Sequence, residues 1–450
     1  MDRSFTGVPK GPGPPLAVRP HVDQSGLGEG AVPLTESHLS PRRVLTVVLA
    51  GGRGKRLVDL TDTISKPGLD FGGKFKIIDF TLSNCVNSGF RKIAILTQYN
   101  SHRLLEHLEF AWSFLPGAMH EFVHVWPAQQ SLDKETWYNG TADAVFQNVD
   151  NIQHFDPQHV LVLAGDHVYR MDYKYFLEDH LNYNADMTIA CLEVPRLSAK
   201  GFGIAQVDDQ DRILSFMEKP GDPPGIPDRP DHALVSMGIY FFKAEFLYEE
   251  LLRDARSESG HDFGHDLIPG IIERARVYAH RFERSCIPNP LNPEPYWRDV
   301  GTLDAYWEAN MDLVSVQPAL NLYDYDWPIF THQEQLPPAK IVHRGNIRQG
   351  SAVSSIISSG CIVSGAHIRD TLLFTRSRVH SYARLEESVI LPKADIGEGA
   401  HLRRVVVDRG CRIPPGLVVG EDPELDAQRF YRTPKGVTLI SQPMLDRLGR

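Results

Sequence analysis

A six-residue apolar repeat near the C-terminal end most strongly limits how this 450-residue chain can fold. Apolar residues recur six positions apart, with small residues and glycines between them, at Ile356, Ile362, Ile368 and Phe374, at Val379 and Leu385, at Ile396 and Leu402, and at Val407, Ile413 and Val419. A period of six fits neither the α-helical turn nor plain hairpins, but it fits the triangular coils of a parallel β-helix. We therefore predict roughly five coils around one apolar interior, with a run of short antiparallel strands as the alternative.

The preceding segment alternates short apolar strands with helical stretches. We predict strands over 44–49, 92–97, 159–164 and 187–194, and helices over 101–114 and 172–182. Such alternation favours parallel strands joined by crossover helices in an α/β layer fold. Within this segment, residues 202–220 are typical of a hairpin around the polar turn 208–211.

Two segments lack an apolar period. Residues 1–41 contain seven prolines and six glycines, a composition that buries too little surface to offset the entropy of ordering. Residues 313–345 are similarly aperiodic and separate the α/β segment from the repeat. We therefore predict a disordered tail (1–42), an α/β domain (43–312), a linker (313–345), and a β-helix domain with a C-terminal extension (346–450).

Charge and cysteine content exclude several classes of protein. The formal net charge of -10 lacks the basic surface that nucleic-acid binders need. The five cysteines show neither CxxC pairs nor the density of a disulfide scaffold, which favours a reducing compartment. Because the apolar runs are far shorter than a bilayer span, we predict a soluble cytoplasmic protein that binds neither nucleic acid nor membrane.

The loop LAGGRGKRL, which begins at the end of the first predicted strand, indicates a phosphate-binding turn. It fails the Walker A pattern because Arg56 stands where a Ser or Thr is required, and its glycine spacing fails the dinucleotide pattern. Gly51 and Gly52 still let backbone N–H groups approach phosphate oxygens. Arg53 and Arg56 add bidentate donors, so a polyphosphate is the natural ligand. A tight strand-to-helix turn with solvated cations would produce the same local pattern.

Two aspartates lie where a metal ion would bind. Asp166 follows an apolar run, at the strand end where open α/β sheets collect ligands, and Asp299 precedes a glycine turn in WRDVGT. Two hard carboxylates with a polyphosphate loop predict an Mg²⁺ site, in which the ion neutralises charge during a nucleotide reaction. An ordinary helix-capping aspartate is the alternative for Asp166.

A helix start made of small residues indicates a binding site for a base or sugar, but less strongly than the motifs above indicate theirs. In WYNGTADAV, the residues Gly140, Thr141 and Ala142 open a predicted helix, where a flat base or sugar can lie on the backbone. A well-capped helix start beside a packed Tyr138 explains the same residues.

Two further strand motifs carry polar groups. Glu218 and Lys219 end a strand at MEKP, and Ser236 lies within the strand motif SMGIYFF. A lysine at a strand end can hold a monophosphate as a point charge, although most exposed lysines bind nothing.

The strongest signal is the order of these motifs along one chain. They are LAGGRGKRL, SKPGLDFGGKFKIIDFTLSNCVNSG, TQYNSH, PAQQ, WYNGTADAV, LAGDHVY, MEKP, SMGIY, HDFGHDLIP and WRDVGT. Together they resemble bacterial glucose-1-phosphate adenylyltransferases (ADP-glucose pyrophosphorylases) over residues 43–440. The resemblance implies a Rossmann-like nucleotidyltransferase domain followed by a left-handed parallel β-helix domain. It also implies a homotetramer, regulated by metabolite effectors, that transfers AMP from ATP to glucose 1-phosphate at the committing step of glycogen synthesis.

The resemblance also implies roles for individual residues. ATP would bind at Gly51, Gly52, Arg53, Gly140, Thr141 and Ala142. Glucose 1-phosphate would bind at Tyr138, Gly203, Glu218, Lys219 and Ser236. Arg56, Lys66 and Asp166 would act in catalysis, and Asp166 and Asp299 would bind Mg²⁺. An oxygen of the sugar phosphate would attack the α-phosphorus in line, without a covalent enzyme intermediate.

The effector positions depart from the family's pattern. In enteric-type enzymes, cations that contact fructose bisphosphate occupy the positions held here by Thr63, Ile64 and Asp70. Lys76 and Arg409 are the candidate allosteric residues, and His154 replaces another cation of the inhibitor site. We therefore expect fructose bisphosphate to activate this chain weakly or not at all.

Three other functions are compatible with parts of the pattern. A pyrophosphorylase for another nucleotide sugar, such as UDP-glucose, would share the phosphate loop and the carboxylates. An acyltransferase would use the β-helix and its histidines, His367, His380 and His401. A non-catalytic regulatory subunit would lack the phosphate and metal ligands that this chain retains.

Overall fold

The computed structural model describes residues 40–52, 54–128, 137–345 and 348–448. The predicted disordered tail therefore lies outside the described residues, except for its last three positions. Pro41–Arg43 form a short 3₁₀ turn that leads directly into the first strand.

Thirteen strands and eight helices are described in the α/β part of the chain. The strands are β1 (Val44–Leu49), β2 (Asp70–Phe71), β3 (Phe75–Lys76), β4 (Lys92–Thr97), β5 (Phe122–Pro127), β6 (His159–Ala164), β7 (His167–Tyr169), β8 (Met187–Pro195), β9 (Gly203–Val207), β10 (Ile213–Glu218), β11 (His232–Lys243), β12 (Val277–Arg281) and β13 (Trp297–Asp299). The helices are α1 (Ile77–Asn87), α2 (His102–Trp112), α3 (Thr141–Phe146), α4 (Val149–Gln153), α5 (Tyr173–Asn182), α6 (Ala244–Asp254), α7 (Ile268–Ile271) and α8 (Leu303–Asp312).

The central sheet is mixed rather than wholly parallel. Strands β6, β1, β4 and β5 pair in parallel, as the alternation of strands and helices predicts. The next strands in the order, β11, β9 and β10, pair antiparallel, because no crossover helix separates β9 from β10 or β10 from β11. The predicted hairpin is confirmed as β9 and β10. Strand β1 is apolar and buried along nearly its whole length, as a central strand covered on both faces must be.

The C-terminal part is a parallel β-helix of five coils, which confirms the interpretation of the six-residue repeat. Its strands are β14 (Lys340–Val342), β15 (Ser351–Val353), β16 (Ile356–Ile357), β17 (Ile362–Ser364), β18 (His367–Arg369), β19 (Leu372–Leu373), β20 (Arg378–Val379), β21 (Arg384–Glu386), β22 (Val389–Ile390), β23 (Asp395–Ile396), β24 (His401–Arg403), β25 (Val405–Val407), β26 (Arg412–Ile413), β27 (Val418–Val419), β28 (Tyr431–Arg432) and β29 (Thr438–Ile440). They form three sheets, and equivalent residues of successive coils, such as His367, Arg384 and His401, are directly paired. Two short helices follow the coils, α9 (Pro423–Arg429) and α10 (Gln442–Leu448).

The register of one sheet corrects part of the predicted interior. Ile362 pairs with Arg378, and both side chains are exposed, whereas the next residue, Val363, pairs with Val379 and is fully buried. A one-residue error turns a strand side chain to the opposite face, so Ile362 is an outward residue. The first coil also begins earlier than predicted, because β14 lies within the predicted linker and pairs with β17.

The α/β part and the β-helix share one continuous apolar core. Side chains from both, including Phe71, Tyr306, Val389 and Leu439, belong to a single buried cluster. Polar contacts close the edge of this junction: the Trp307 Nε1 donates to the Glu387 carbonyl at 2.9 Å. Within the described part of the chain, no helix is both long and apolar enough to span a bilayer.

We expect Asp408 to destabilise this junction at neutral pH. Burial and the nearby carboxylates of Asp70 and Asp59 raise the pKa of Asp408 from 3.8 to about 6, against the opposing effect of Arg409. The folded chain therefore holds the Asp408 proton more tightly than the unfolded chain, and the associated stability is lost as pH rises through about 6. Replacement by Asn should raise the free energy of unfolding by up to about 3 kcal/mol above that pH.

Denaturant unfolding of Asp408→Asn and the unmodified chain between about pH 4 and pH 8 measures this effect. The advantage of the variant should grow across that range. Asp370→Asn, which changes a more exposed carboxylate of the same β-helix, is the control. An advantage for Asp408→Asn that does not change with pH contradicts the prediction.

Candidate active site

Two chambers open side by side at the carboxyl edge of the central sheet. The first, of about 400 Å³, is called the lysine chamber and is lined by Lys55, Arg56, Lys66, Gly203, Lys219, Ser236 and Asp299 among others. The second, of about 450 Å³, is called the glycine chamber and is lined by Gly51, Gly52, Tyr138, Gly140, Thr141 and Gly264 among others. Asp166, Glu218 and Lys219 line both chambers, so the two cavities meet at these charged side chains.

Lys66 links the two aspartates where the chambers meet. Its Nζ lies 3.0 Å from Asp166 Oδ2 and 2.5 Å from Asp299 Oδ1, and its side chain is only 6% exposed. Asp166 follows β6, whereas Asp299 ends β13, which pairs antiparallel with β7 so that Asp299 lies opposite His167. This small second sheet therefore brings together two carboxylates that are far apart in sequence.

The charges of this cluster stabilise one another. Burial disfavours the charged ammonium of Lys66, but Asp166 and Asp299 outweigh that effect and raise its pKa. Burial likewise opposes ionisation of Asp166, yet Lys66 lowers the pKa of Asp166 to about 2. Lys66 and Asp166 therefore form an ionised pair at neutral pH, and Asp299 Oδ1 lies against the same ammonium group.

Arg56 approaches the same cluster from the phosphate loop. Its Nη2 lies 3.8 Å from Asp299 Oδ2, while its side chain is 70% exposed toward the cleft. Gly301 makes this approach possible, because a Cβ there would lie 2.9 Å from both Arg56 Nη2 and Asp299 Oδ1. Arg53, the other predicted phosphate ligand of the loop, lies outside the described residues.

The wall of the lysine chamber is built around Glu218. In the β9–β10 pair, Gly203 lies opposite Glu218, and a Cβ on Gly203 would lie 2.7 Å from Glu218 Oε2. Lys219 adopts the left-handed region with φ 47°, which is uncommon for a residue with a side chain, and its Nζ lies 2.6 Å from Glu218 Oε1. Ser236 is buried, and its Oγ accepts a hydrogen bond from Gly238 N at 3.2 Å.

The start of α3, where we predicted that a base or sugar could lie on the backbone, is packed largely against other residues. Gly140 is required by backbone packing, since a Cβ there would lie 2.2 Å from the His261 carbonyl oxygen. The Thr141 hydroxyl donates to Asp262 Oδ2 at 2.9 Å while lining the glycine chamber. Ala142 is fully buried, and its backbone N–H donates to the His261 carbonyl, so neither group reaches the chamber surface.

Tyr138 lines the glycine chamber, as Glu218 and Lys219 also do, whereas Gly203 and Ser236 line only the lysine chamber. Its hydroxyl accepts a hydrogen bond from Asn148 Nδ2 at 3.1 Å. This placement follows from its position just before α3, which forms that chamber's side.

Several cleft residues were not singled out from the sequence. Gln98 follows β4 as Asp166 follows β6, so the strand-end rule applied to every parallel strand would have found it. His167 packs edge-on against Trp297, with 5.0 Å between ring centroids, and both line the lysine chamber. Tyr240 lies in β11, and Asp262 directly precedes a short π-helix (Phe263–Leu267), so neither residue belongs to a motif whose spacing indicates a site.

The candidate effector residues line a separate cavity of about 500 Å³ between the α/β part and the β-helix. Asp70 accepts a hydrogen bond from Lys76 Nζ at 2.7 Å and another from Arg409. Burial opposes the charge on Asp70, but Lys76 and Arg409 together lower its pKa. Ile64 also lines this cavity, and His154 instead packs against Phe155.

Comparison with protein families assigns both parts of the chain. A profile described as nucleotidyl transferase matches residues 45–316. A second profile, described as GlmU-like, C-terminal hexapeptide, matches residues 337–440. The two matches coincide with the α/β part and with the coils of the β-helix.

Curated relatives match nearly the full length of the chain. Glucose-1-phosphate adenylyltransferase from Dechloromonas aromatica (strain RCB) is 55% identical over 410 residues, which cover 91% of this chain and 93% of the relative. The protein of the same name from Paramagnetospirillum magneticum (strain ATCC 700264 / AMB-1) is 55% identical, covering 91% and 95%. That from Rhizobium etli (strain CIAT 652) is 52% identical, covering 92% and 100%.

We expect Lys66 to compete with a divalent cation for the two aspartates. Lys66→Met removes a buried positive charge that lies within 3.0 Å of both carboxylates. Affinity for Mn²⁺ in the absence of nucleotide should therefore rise by about tenfold or more. Isothermal titration measures the change, and Lys74→Met, which alters an exposed lysine away from the cleft, is the control. Equal Mn²⁺ affinities for Lys66→Met and the unmodified chain contradict this prediction.

Proposed function

This chain belongs to the glucose-1-phosphate adenylyltransferases, within the nucleotidyl transferase family, and we propose how its two chambers divide the work of that reaction. ATP and glucose 1-phosphate give ADP-glucose and pyrophosphate. One observation carries the proposal: Lys66, Asp166 and Asp299 form one ion cluster in the lysine chamber, and Asp166 of this cluster also lines the glycine chamber. A reaction that joins two substrates needs its charged groups at such a boundary.

The glycine chamber binds ATP in this proposal. Gly51 and Gly52 follow the buried strand β1, and their backbone N–H groups provide donors for phosphate oxygens. Thr141 and the apolar Leu49 and Leu96 line the space for the nucleoside. Arg53 is proposed as a further phosphate ligand from the family resemblance alone.

The lysine chamber binds glucose 1-phosphate. Lys219 provides a positive charge for the phosphate, and its ammonium is held toward the cleft by Glu218. Glu218 and Ser236 provide polar atoms for the sugar hydroxyls, while Gly203 leaves room for the sugar ring. Tyr138 would contact the reacting groups from the nucleotide side instead.

The cluster between the chambers fits Mg²⁺. Asp166 and Asp299 direct oxygen atoms at one shared cation, and Mg²⁺ prefers such hard oxygen ligands. Two carboxylates are fewer than the roughly six ligands of Mg²⁺, so phosphate oxygens and water would supply the others. Bound there, Mg²⁺ would neutralise charge on the phosphates during transfer.

The side chains of the cluster then act mainly by position and charge. An oxygen of the sugar phosphate, already ionised at neutral pH, attacks the α-phosphorus of ATP, and pyrophosphate leaves. Arg56, which is exposed toward the cleft, and Lys66 stabilise the negative charge that develops on the leaving group. No side chain needs to accept a proton, so the enzyme gains rate from orientation and electrostatics.

A regulatory site is proposed at the junction between the α/β part and the β-helix. Metabolite effectors would bind in the cavity at the junction, where Asp70 already forms ion pairs with both Lys76 and Arg409. A bound anion such as fructose bisphosphate would have to displace this carboxylate, which favours a weak response. The homotetramer, the cytoplasmic location and the role in glycogen synthesis rest on the family resemblance.

A pyrophosphate-release assay with glucose 1-phosphate and each of ATP, UTP, GTP and CTP tests the reaction. ATP should support turnover best, and Asp166→Asn should lower kcat by more than about tenfold while leaving the thermal midpoint nearly unchanged. A preference for UTP would favour a different nucleotide-sugar pyrophosphorylase. Wild-type-like turnover by Asp166→Asn would remove Asp166 from the reaction.

The division between chambers predicts selective losses of affinity. Lys219→Gln should raise the KM for glucose 1-phosphate by about tenfold or more and change the KM for ATP much less. Lys200→Gln, which alters an exposed lysine nearby in the chain, serves as the control. Equal rises in both KM values would show that Lys219 does not select the sugar phosphate.

A further inference from the structure

His261 lies directly behind the wall of the glycine chamber and has an unusual backbone conformation. Its φ of 54° lies in the left-handed region, which costs energy for a residue with a Cβ. Its ring Nδ1 donates to Asp254 Oδ2 at 2.7 Å, because an ionised carboxylate can only accept. Both side chains are largely buried, at 20% and 11% exposure.

The backbone of His261 holds the start of α3. Its carbonyl oxygen accepts hydrogen bonds from Ala142 N at 2.9 Å and from Asp143 N at 3.2 Å. Gly140 packs so closely against this carbonyl that no larger residue fits. The position of one peptide group therefore determines where one side of the glycine chamber begins.

The residue after His261 holds an adjoining part of the wall. Asp262 Oδ2 accepts from the Thr141 hydroxyl, and Asp262 Oδ1 accepts from Gly264 N at 2.9 Å and His265 N at 3.1 Å. Thr141, Asp262 and Gly264 all line the chamber. A shift of His261 would thus move the start of α3 and the turn at Asp262 together.

Asp254 anchors this arrangement from outside the chamber. It ends α6, where a negative charge opposes the helix dipole, so its carboxylate depends on nearby donors. Ser259 Oγ donates to Asp254 Oδ1 at 2.8 Å, and His261 supplies the second donor. The three residues close the turn that leads into the chamber wall.

We propose that His261, held by Asp254, is a positioning residue that fixes this wall of the glycine chamber and thereby the affinity for ATP. The inference rests on the proposed function, in which that chamber binds ATP. His261 itself does not touch the nucleotide. Its loss should weaken ground-state and transition-state binding of ATP alike, which raises KM with little change in kcat.

Steady-state kinetics of His261→Ala and Asp254→Ala test the proposal. Each should raise the KM for ATP by about tenfold while the KM for glucose 1-phosphate changes less than about twofold. The double variant should be no worse than either single variant, because both remove one interaction. His265→Ala, which alters an exposed histidine of the same turn, should leave both KM values unchanged.

His261→Asn distinguishes positioning from general loss of structure. Asparagine tolerates the left-handed region, and its Nδ2 can replace the ring Nδ1 as a donor to Asp254. It should restore the KM for ATP to within about threefold of the unmodified enzyme. Thermal midpoints of all variants are measured as well. If His261→Ala does not fold, the KM of His261→Asn for ATP tests the proposal.

Two outcomes overturn the proposal: an unchanged KM for ATP in His261→Ala, or equal rises in both KM values that His261→Asn does not reverse. Failure of the proposed function has a separate signature. In that case the unmodified enzyme itself would release no pyrophosphate from ATP and glucose 1-phosphate.

Discussion

The ion cluster of Lys66, Asp166 and Asp299 is the interaction on which the catalytic architecture depends. Two carboxylates at the edge of a sheet repel each other unless a cation lies between them. Lys66 supplies that cation from a short 3₁₀ turn (Lys66–Gly68), whereas the carboxylates are those of Asp166, which follows β6, and Asp299, which ends β13. Because these three elements belong to different parts of the chain, the cluster also joins the two chambers into one cleft.

The segment that carries Lys66 connects the cleft with the β-helix. Only three residues separate Lys66 from Asp70, which forms ion pairs with Lys76 and with Arg409 of the coils. The apolar core continues across this junction, so the β-helix packs directly against the α/β part. A change in the charge of the junction cavity would therefore act on the segment that carries Lys66.

Glycine has distinct physical roles in this cleft. Gly140, Gly203 and Gly301 are small because another backbone or side chain lies where their Cβ would be. At Gly140 the neighbour is the carbonyl of His261, and at Gly301 it is the pair Arg56 and Asp299. These glycines support the site by allowing close packing, and their contact with a ligand is secondary.

Local patterns in the sequence determined much of this protein. The apolar runs predicted β1, β4 and β6 with their observed bounds, and the six-residue repeat predicted the five coils, since both patterns report which side chains must be buried. The repeat predicted the wrong register at Ile362. An exposed and a buried apolar residue are adjacent there, so composition alone does not show which of the two faces the interior. Motif order predicted Lys66, Asp166 and Asp299 as one site, which the ion cluster is consistent with.

Only the tertiary structure determines which chamber each residue lines and how it contacts its neighbours there. Tyr138 lines the glycine chamber, Ala142 is buried, and His261 supports the chamber wall from behind. None of this follows from spacing, because these positions depend on contacts between α3 and a turn more than a hundred residues away. The sequence by itself determined the elements and the chemistry of the site, and long-range packing decided its geometry.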